Sequence, residues 1–123
     1  MKVCTIQPFY SFNECDTDKC FREMIELLDK CDESLDLIVL PEYSDVPAAQ
    51  SSKVNFHKSI EVRNAEIMER AIAAAKRCHA IVFVNAAEKC ESGYRNTTHA
   101  IDREGNMVGK YFKAHPAPSE VKT

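Results

Sequence analysis

One glutamate and one lysine are the side chains best placed to do chemistry in this sequence. Glu42 stands directly after Leu40 and Pro41, at the end of the apolar run LDLIVL. The carboxyl end of a buried strand is where open α/β sheets build their sites, and a carboxylate there suits proton abstraction. Lys113 belongs to the segment KYFKAH. Strand alternation sets it on one face with Met107, Gly109 and Tyr111 and sets Lys110 and Phe112 on the other, so one of the two lysines turns inward. An inward ammonium needs a carboxylate partner, and paired with Glu42 it can stabilise a developing oxyanion in a dry cleft. Each residue also has an ordinary reading: a glutamate that opens a surface loop, and a solvated lysine at a strand end.

The six cysteines, Cys4, Cys15, Cys20, Cys31, Cys78 and Cys90, offer thiol chemistry. There is no Cys-x-x-Cys pair, and Cys78 and His79, neighbours at the end of a helical pattern, cannot both point into one site. No metal and no organic cofactor is expected. The opening MKVCTIQPFY has too short an apolar run for a signal-peptide core, and no stretch approaches membrane-spanning length. The expected setting is cytoplasmic. With three of the cysteines inside strand or helix patterns, buried free thiols are expected in place of disulfides. A formal net charge of -3 gives no electrostatic reason to expect nucleic acid or an anionic membrane as partner.

The elements that must position these residues follow from periodicity. Residues 2–7 alternate and stop at Pro8, a first strand. Over 17–31 the apolar positions Phe21, Met24, Ile25, Leu28 and Cys31 mark one helix face, with Asp16 as its cap. Residues 35–40 are almost wholly apolar, as in a strand buried on both faces. Residues 43–59 lack periodicity and read as a long loop. Over 64–78, Ile67, Ala71, Ala74, Ala75 and Cys78 line a helix that packs closely on a sheet. Strands are then expected at 80–86, 97–102 and 107–113, the last two joined by the turn Arg103-Glu104-Gly105-Asn106. Cys90 falls in the loop between the first two, and the tail from 116 has no element of its own. The order is βαβαβββ in an α/β chain of 123 residues, the size of one domain or a piece of one.

In order and spacing, KVCTIQP, LIVLPEY, IVFVNAAE and NTTHAIDREGNMVGKYFKAHP resemble the nitrilase, or carbon-nitrogen hydrolase, superfamily. The resemblance implies an α/β fold, the N-terminal half of a nitrilase-type α-β-β-α sandwich, with residues 1–123 a partial domain. It implies that Glu42 is the general base and that Lys113, in the Y-x-K-x-H segment, steadies the tetrahedral intermediate. Glu120, seven residues past Lys113, stands where many members carry a second glutamate that helps position substrate. Two positions depart from the pattern: Asn85 replaces a common glycine, and Phe112 replaces the arginine of Y-R-K. The family's nucleophile is a cysteine in a segment like G-x-x-I-C-Y-D, and none of the six cysteines has that context.

With a complete site, the resemblance implies attack of a thiolate on an amide or nitrile carbon. Glu42 takes the thiol proton, Lys113 holds the negative charge, and water activated by Glu42 later releases the acid. No cofactor enters. Without a nucleophile the fragment alone is expected to be inactive. Its partners are then a small amide or nitrile substrate once the site is completed, and another chain, as a homo-oligomer or through an open half of the fold. Two other classes remain. One is a non-catalytic interaction protein of the same fold that keeps Glu42 and Lys113 as an ion pair. The other is a small thiol redox or metal-binding domain.

Overall fold

The computed structural model describes residues 1–116. In chain order they form β1 (Val3–Thr5), α1 (Thr17–Asp29), β2 (Leu37–Val39), α2 (Lys53–Cys78), β3 (Ile81–Cys90), β4 (Gly93–Ile101) and β5 (Met107–Phe112), with a 3-10 turn at Glu14–Asp16 before α1. The strands make one sheet in the order β1-β2-β3-β4-β5. The first three run parallel, and β4 and β5 return antiparallel as a meander. The α/β class and the βαβαβββ order are those read from the sequence.

Both helices lie on one face of the sheet. Phe21, Met24, Ile25 and Leu28 of α1 and Ile67, Ala71, Ala74, Ala75 and Cys78 of α2 close over Ile38, Val82, Val84, Ala86 and Ile101. The alanines let the α2 backbone approach the strands, and Phe21 and Leu28, fully buried, fill the space between. Arg22 forks onto Glu66 at 2.6 and 3.0 Å, and Arg77 donates to the carbonyls of Leu28 and Cys31, so the helices are also stitched to each other.

The other face carries Val39, Phe83 and Ala100, which are mutually paired across β2, β3 and β4. Among the described residues no layer covers it, and Val3 and Phe83 are 46% and 36% exposed. The expectation that β2 is buried on both faces therefore fails: Ile38 is buried, whereas Leu37 and Val39 are only half-buried.

Several boundaries move, each for a local reason. Asp16 does not cap α1 through its side chain; its carboxylate instead accepts from the Ser11 hydroxyl at 2.7 Å, and the 3-10 turn leads the chain into the helix. The loop expected over 43–59 ends at Ser52, whose hydroxyl accepts from the Asn55 N–H and starts a helix of 26 residues. Its first turns have no continuous apolar stripe, with Val54 and Val62 exposed, so periodicity does not reveal them. β3 and β4 extend past 86 and begin before 97 into a hairpin closed by Cys90 opposite Gly93. Cys90 thus ends a strand and does not open a loop.

Between β4 and β5 the register shifts: Ala100 pairs with Gly109 but Ile101 with Met107, leaving Val108 as an extra residue, a β-bulge. Gly105 makes the preceding turn. Its φ is +85°, and an added Cβ would meet the Lys76 Cε at 2.5 Å.

Candidate active site

Glu42 lies just past β2, where the chain turns off the carboxyl end of the sheet. The turn is fastened to β3 and α2. Ser44 N–H donates to the Asn85 carbonyl at 2.9 Å, and the Ser44 hydroxyl donates to the Pro41 carbonyl at 2.7 Å. Asp45 has no exposed surface; its Oδ2 accepts from the Ala87 N–H at 3.0 Å and from Asn64 Nδ2 at 2.9 Å, and its carbonyl accepts from the Ser59 hydroxyl at 2.7 Å. Burial pushes the Asp45 carboxyl above its ordinary value, against the pull of the Asn64 and Ala87 donors. Tyr43 is held at φ 51°, a left-handed conformation costly for a bulky residue, and its N–H donates to Asn85 Oδ1 at 2.7 Å.

The same turn presents Glu42 to the end of β5. Lys113 Nζ donates to Glu42 Oε1 at 3.0 Å. Asn96 Nδ2, from β4, donates to that oxygen at 2.7 Å. The Asn96 carbonyl also accepts from the Lys113 N–H at 3.0 Å, so one residue ties both members of the pair. Asn85 Nδ2 donates to Asn96 Oδ1 at 2.7 Å and to the Thr98 hydroxyl at 3.0 Å. These groups, with Val39, Leu40, Phe83 and Tyr111, line a cleft of about 340 Å³ on the sheet face away from the helices. The cleft is open: the Lys113 and Glu42 side chains keep 33% and 57% of their accessibility, so the dry cleft expected from the sequence is absent among the described residues.

Glu42 and Lys113 are thus brought together, 71 residues apart in the chain. Lys110 turns instead to an ion pair with Glu88. Alternation correctly sets Gly109 and Tyr111 beside Lys113, but not Met107, which pairs with the helix-side Ile101 across the bulge. Glu120 lies outside the described residues. Sequence reasoning gave no role to Asn96 and saw Asn85 only as a departure. The available signal was Asn85 inside an expected strand, where that residue is disfavoured unless its amide has partners; Asn96 fell just before the strand expected at 97.

None of the six cysteines lines the cleft, and all are free. Cys31 is buried against Cys4, Sγ to Sγ 4.0 Å, and burial pushes its thiol up to about 12; burial also raises Cys78. Such thiols are poor nucleophiles at neutral pH. The half-buried Cys90 is lowered by its contact with Ser92. Among the described residues no group of three or more His, Cys, Asp or Glu side chains could hold a metal ion, and no helix is long and apolar enough to cross a membrane.

The fold is a mixed sheet with two helices on one face and the Glu42 and Lys113 ion pair at its carboxyl edge, and comparison places it. The carbon-nitrogen hydrolase family profile matches residues 3–123. This chain belongs to the carbon-nitrogen hydrolase family. Comparison with curated protein sequences finds no match. Among solved structures, the C. elegans NitFhit protein superposes with a TM-score of 0.71 at 21% identity, over 94% of this chain and 27% of that one. An N-terminal amidase gives 0.69 at 18%, over 97% of this chain and 29% of its own. A carbon-nitrogen hydrolase from Helicobacter pylori G27 gives 0.64 at 18%, over 93% and 39%. The chain therefore spans well under half the length of these relatives.

Proposed function

We propose that this chain supplies the base and the cationic electrophile of a site that hydrolyses a non-peptide amide or nitrile, with Glu42 as general base and Lys113 as oxyanion stabiliser. The observation that carries this reading is the 3.0 Å contact between Lys113 Nζ and Glu42 Oε1 in a cleft at the carboxyl edge of the sheet. Oε1 is committed to two donors, so proton transfer falls to Oε2. The thiol that Glu42 deprotonates comes from outside residues 1–123, since no cysteine of this chain lines the cleft. Its thiolate adds to the substrate carbon, the Lys113 ammonium offsets the charge that develops, and Glu42 returns the proton to the departing ammonia or amine, leaving a thioester; a nitrile first gives a thioimidate, which takes up one water before ammonia departs. Water deprotonated by Glu42 then cleaves the thioester. Glu120 would help to position the substrate.

Ammonia release from a panel of amides and nitriles tests the reading in two arms. This chain alone is expected to release none; release abolished by Glu42→Gln would keep the base and overturn the external thiol. In a polypeptide that also carries the nucleophile segment, Glu42→Gln is expected to lower kcat by about 10²–10⁴. Lys113→Met should lower it by about 10²–10³. A loss below tenfold in both would overturn the assignments.

The exposed Val3 and Phe83 on the uncovered sheet face favour a second reading, association with another chain, in which Glu42 and Lys113 are only an ion pair. A monodisperse complex with no turnover in the two-part polypeptide would support it. The six free thiols fit a reducing, cytoplasmic setting.

A further inference from the structure

We propose that Asn96 is a positioning residue for Glu42 and that Asn85 fixes the direction in which Asn96 faces. The inference rests on the reading of Glu42 as the base, but its geometry stands apart from any turnover. An amide side chain presents an acceptor on one side and donors on the other, and it can be turned end for end at no cost in shape. Here both ends of the chain of amides are fixed. At one end the Tyr43 N–H can only donate, so Asn85 must turn Oδ1 to it, at 2.7 Å. That leaves Asn85 Nδ2 to donate to Asn96 Oδ1 at 2.7 Å and to Thr98 Oγ1 at 3.0 Å. Asn96 is then obliged to turn Nδ2 away from Asn85, and it meets Glu42 Oε1 at 2.7 Å. An ionised carboxylate can only accept, so the far end closes the series with the same polarity.

Two consequences follow. The Asn96 contact is charge-assisted and short, and it holds a carboxylate that solvent would otherwise leave free to rotate, since Glu42 keeps 57% of its side-chain accessibility. The Asn96 carbonyl also accepts from the Lys113 N–H, so the residue that aims the carboxylate sets the distance to the ammonium as well. The polarity begins at Tyr43, the residue after Glu42, whose left-handed backbone gives its N–H the direction of Asn85.

The decisive variant is Asn85→Asp. It keeps an oxygen for the Tyr43 N–H but removes the donor to Asn96, so the Asn96 amino group should turn to the new, less solvated carboxylate and leave Glu42 to Lys113 and solvent. In ¹⁵N-labelled full chain at neutral pH, the Asn96 side-chain amide, assigned by its loss in Asn96→Ala, is expected to show one downfield proton with a cross-peak to the Glu42 methylenes. Asn85→Asp should abolish that cross-peak while the Tyr43 backbone amide stays in place. If Asn85→Asp does not fold, Glu42→Gln tests the series from its other end: the downfield Asn96 proton should move upfield and the Asn85 amide should shift with it. Retention of the Asn96 to Glu42 cross-peak in Asn85→Asp, or an unmoved Asn96 amide in Glu42→Gln, would overturn the proposal. Absence of hydrolysis would not change these signals, so the two ideas fail separately.

Discussion

At the scale of single residues, Asp45 is the anchor of the turn that carries Glu42, and it is held at a cost. Its Oδ1 is buried with no hydrogen-bond partner among the described residues, while Oδ2 serves two donors. Desolvation raises its folded pKa above the ordinary value of 3.8. Between those two values the folded chain binds more protons than the unfolded one, so the stability owed to this group is full below about pH 3.8 and is lost as pH rises through the folded pKa. Asp45→Asn removes the titration. We expect the melting temperature of the parent, relative to that variant, to fall from about pH 4 upward in a series of thermal melts. Parallel profiles would contradict the assignment. The exposed Glu42 and Lys113 pair, by contrast, contributes about 0–1 kcal/mol to stability, so its alignment is not explained as a structural staple. Both residues could be found in the sequence because each sits at a fixed step from a readable strand end. Asp45 and Asn96 could not, since a buried polar residue outside an expected element declares itself only through its partners elsewhere in the fold.

The secondary elements show where the pattern of apolar residues stops carrying information. α1 and the second half of α2 are legible because their buried faces recur at helical spacing against the sheet. The first half of α2 is not: Lys53 to Val62 pack on the turn and on the hairpin ends of β3 and β4, through the separate cluster of Val46, Ile60 and Ala87, with Phe56 edge to face on Tyr43 at 5.3 Å and His57 on Tyr94 at 5.0 Å. Its start is specified by Ser52 and by Glu14, which accepts from the Ser51 N–H and from Asn55. Ser52→Ala should therefore cost about 1 kcal/mol in urea unfolding. It should also raise amide exchange chiefly between residues 53 and 62; an effect spread evenly along α2 would show that the cap does not define this turn.

At the scale of the whole molecule, a single helical layer lies on a sheet whose other face keeps its apolar side chains in solvent. Val3 and Phe83 lie on the face that the parallel strands leave uncovered, and the chain spans 27–39% of the solved relatives described above. An apolar face of this kind favours association. Sedimentation velocity is expected to give a mean mass that rises with concentration, and Phe83→Glu to return it toward that of a monomer. A parent that stays monomeric at all concentrations would remove the case for this face as a contact surface. The run LDLIVL by itself does not reveal this face, because it reads the same whether its second side is covered or bare; only the family resemblance led to the expectation of an open half.

The bulge at Val108 bears on which side chain faces the acid. Without the bulge, with Val108 paired in register, the pairing of Ile101 with Met107 would continue as Ala100 with Val108 and Asn96 with Phe112. The ring of Phe112 would then stand over the cleft, and Lys113 would point to the helical side. The bulge therefore works as a phase shifter. The meander acts as a ruler whose offset, set at the turn, determines whether a cation or a hydrocarbon arrives opposite Glu42.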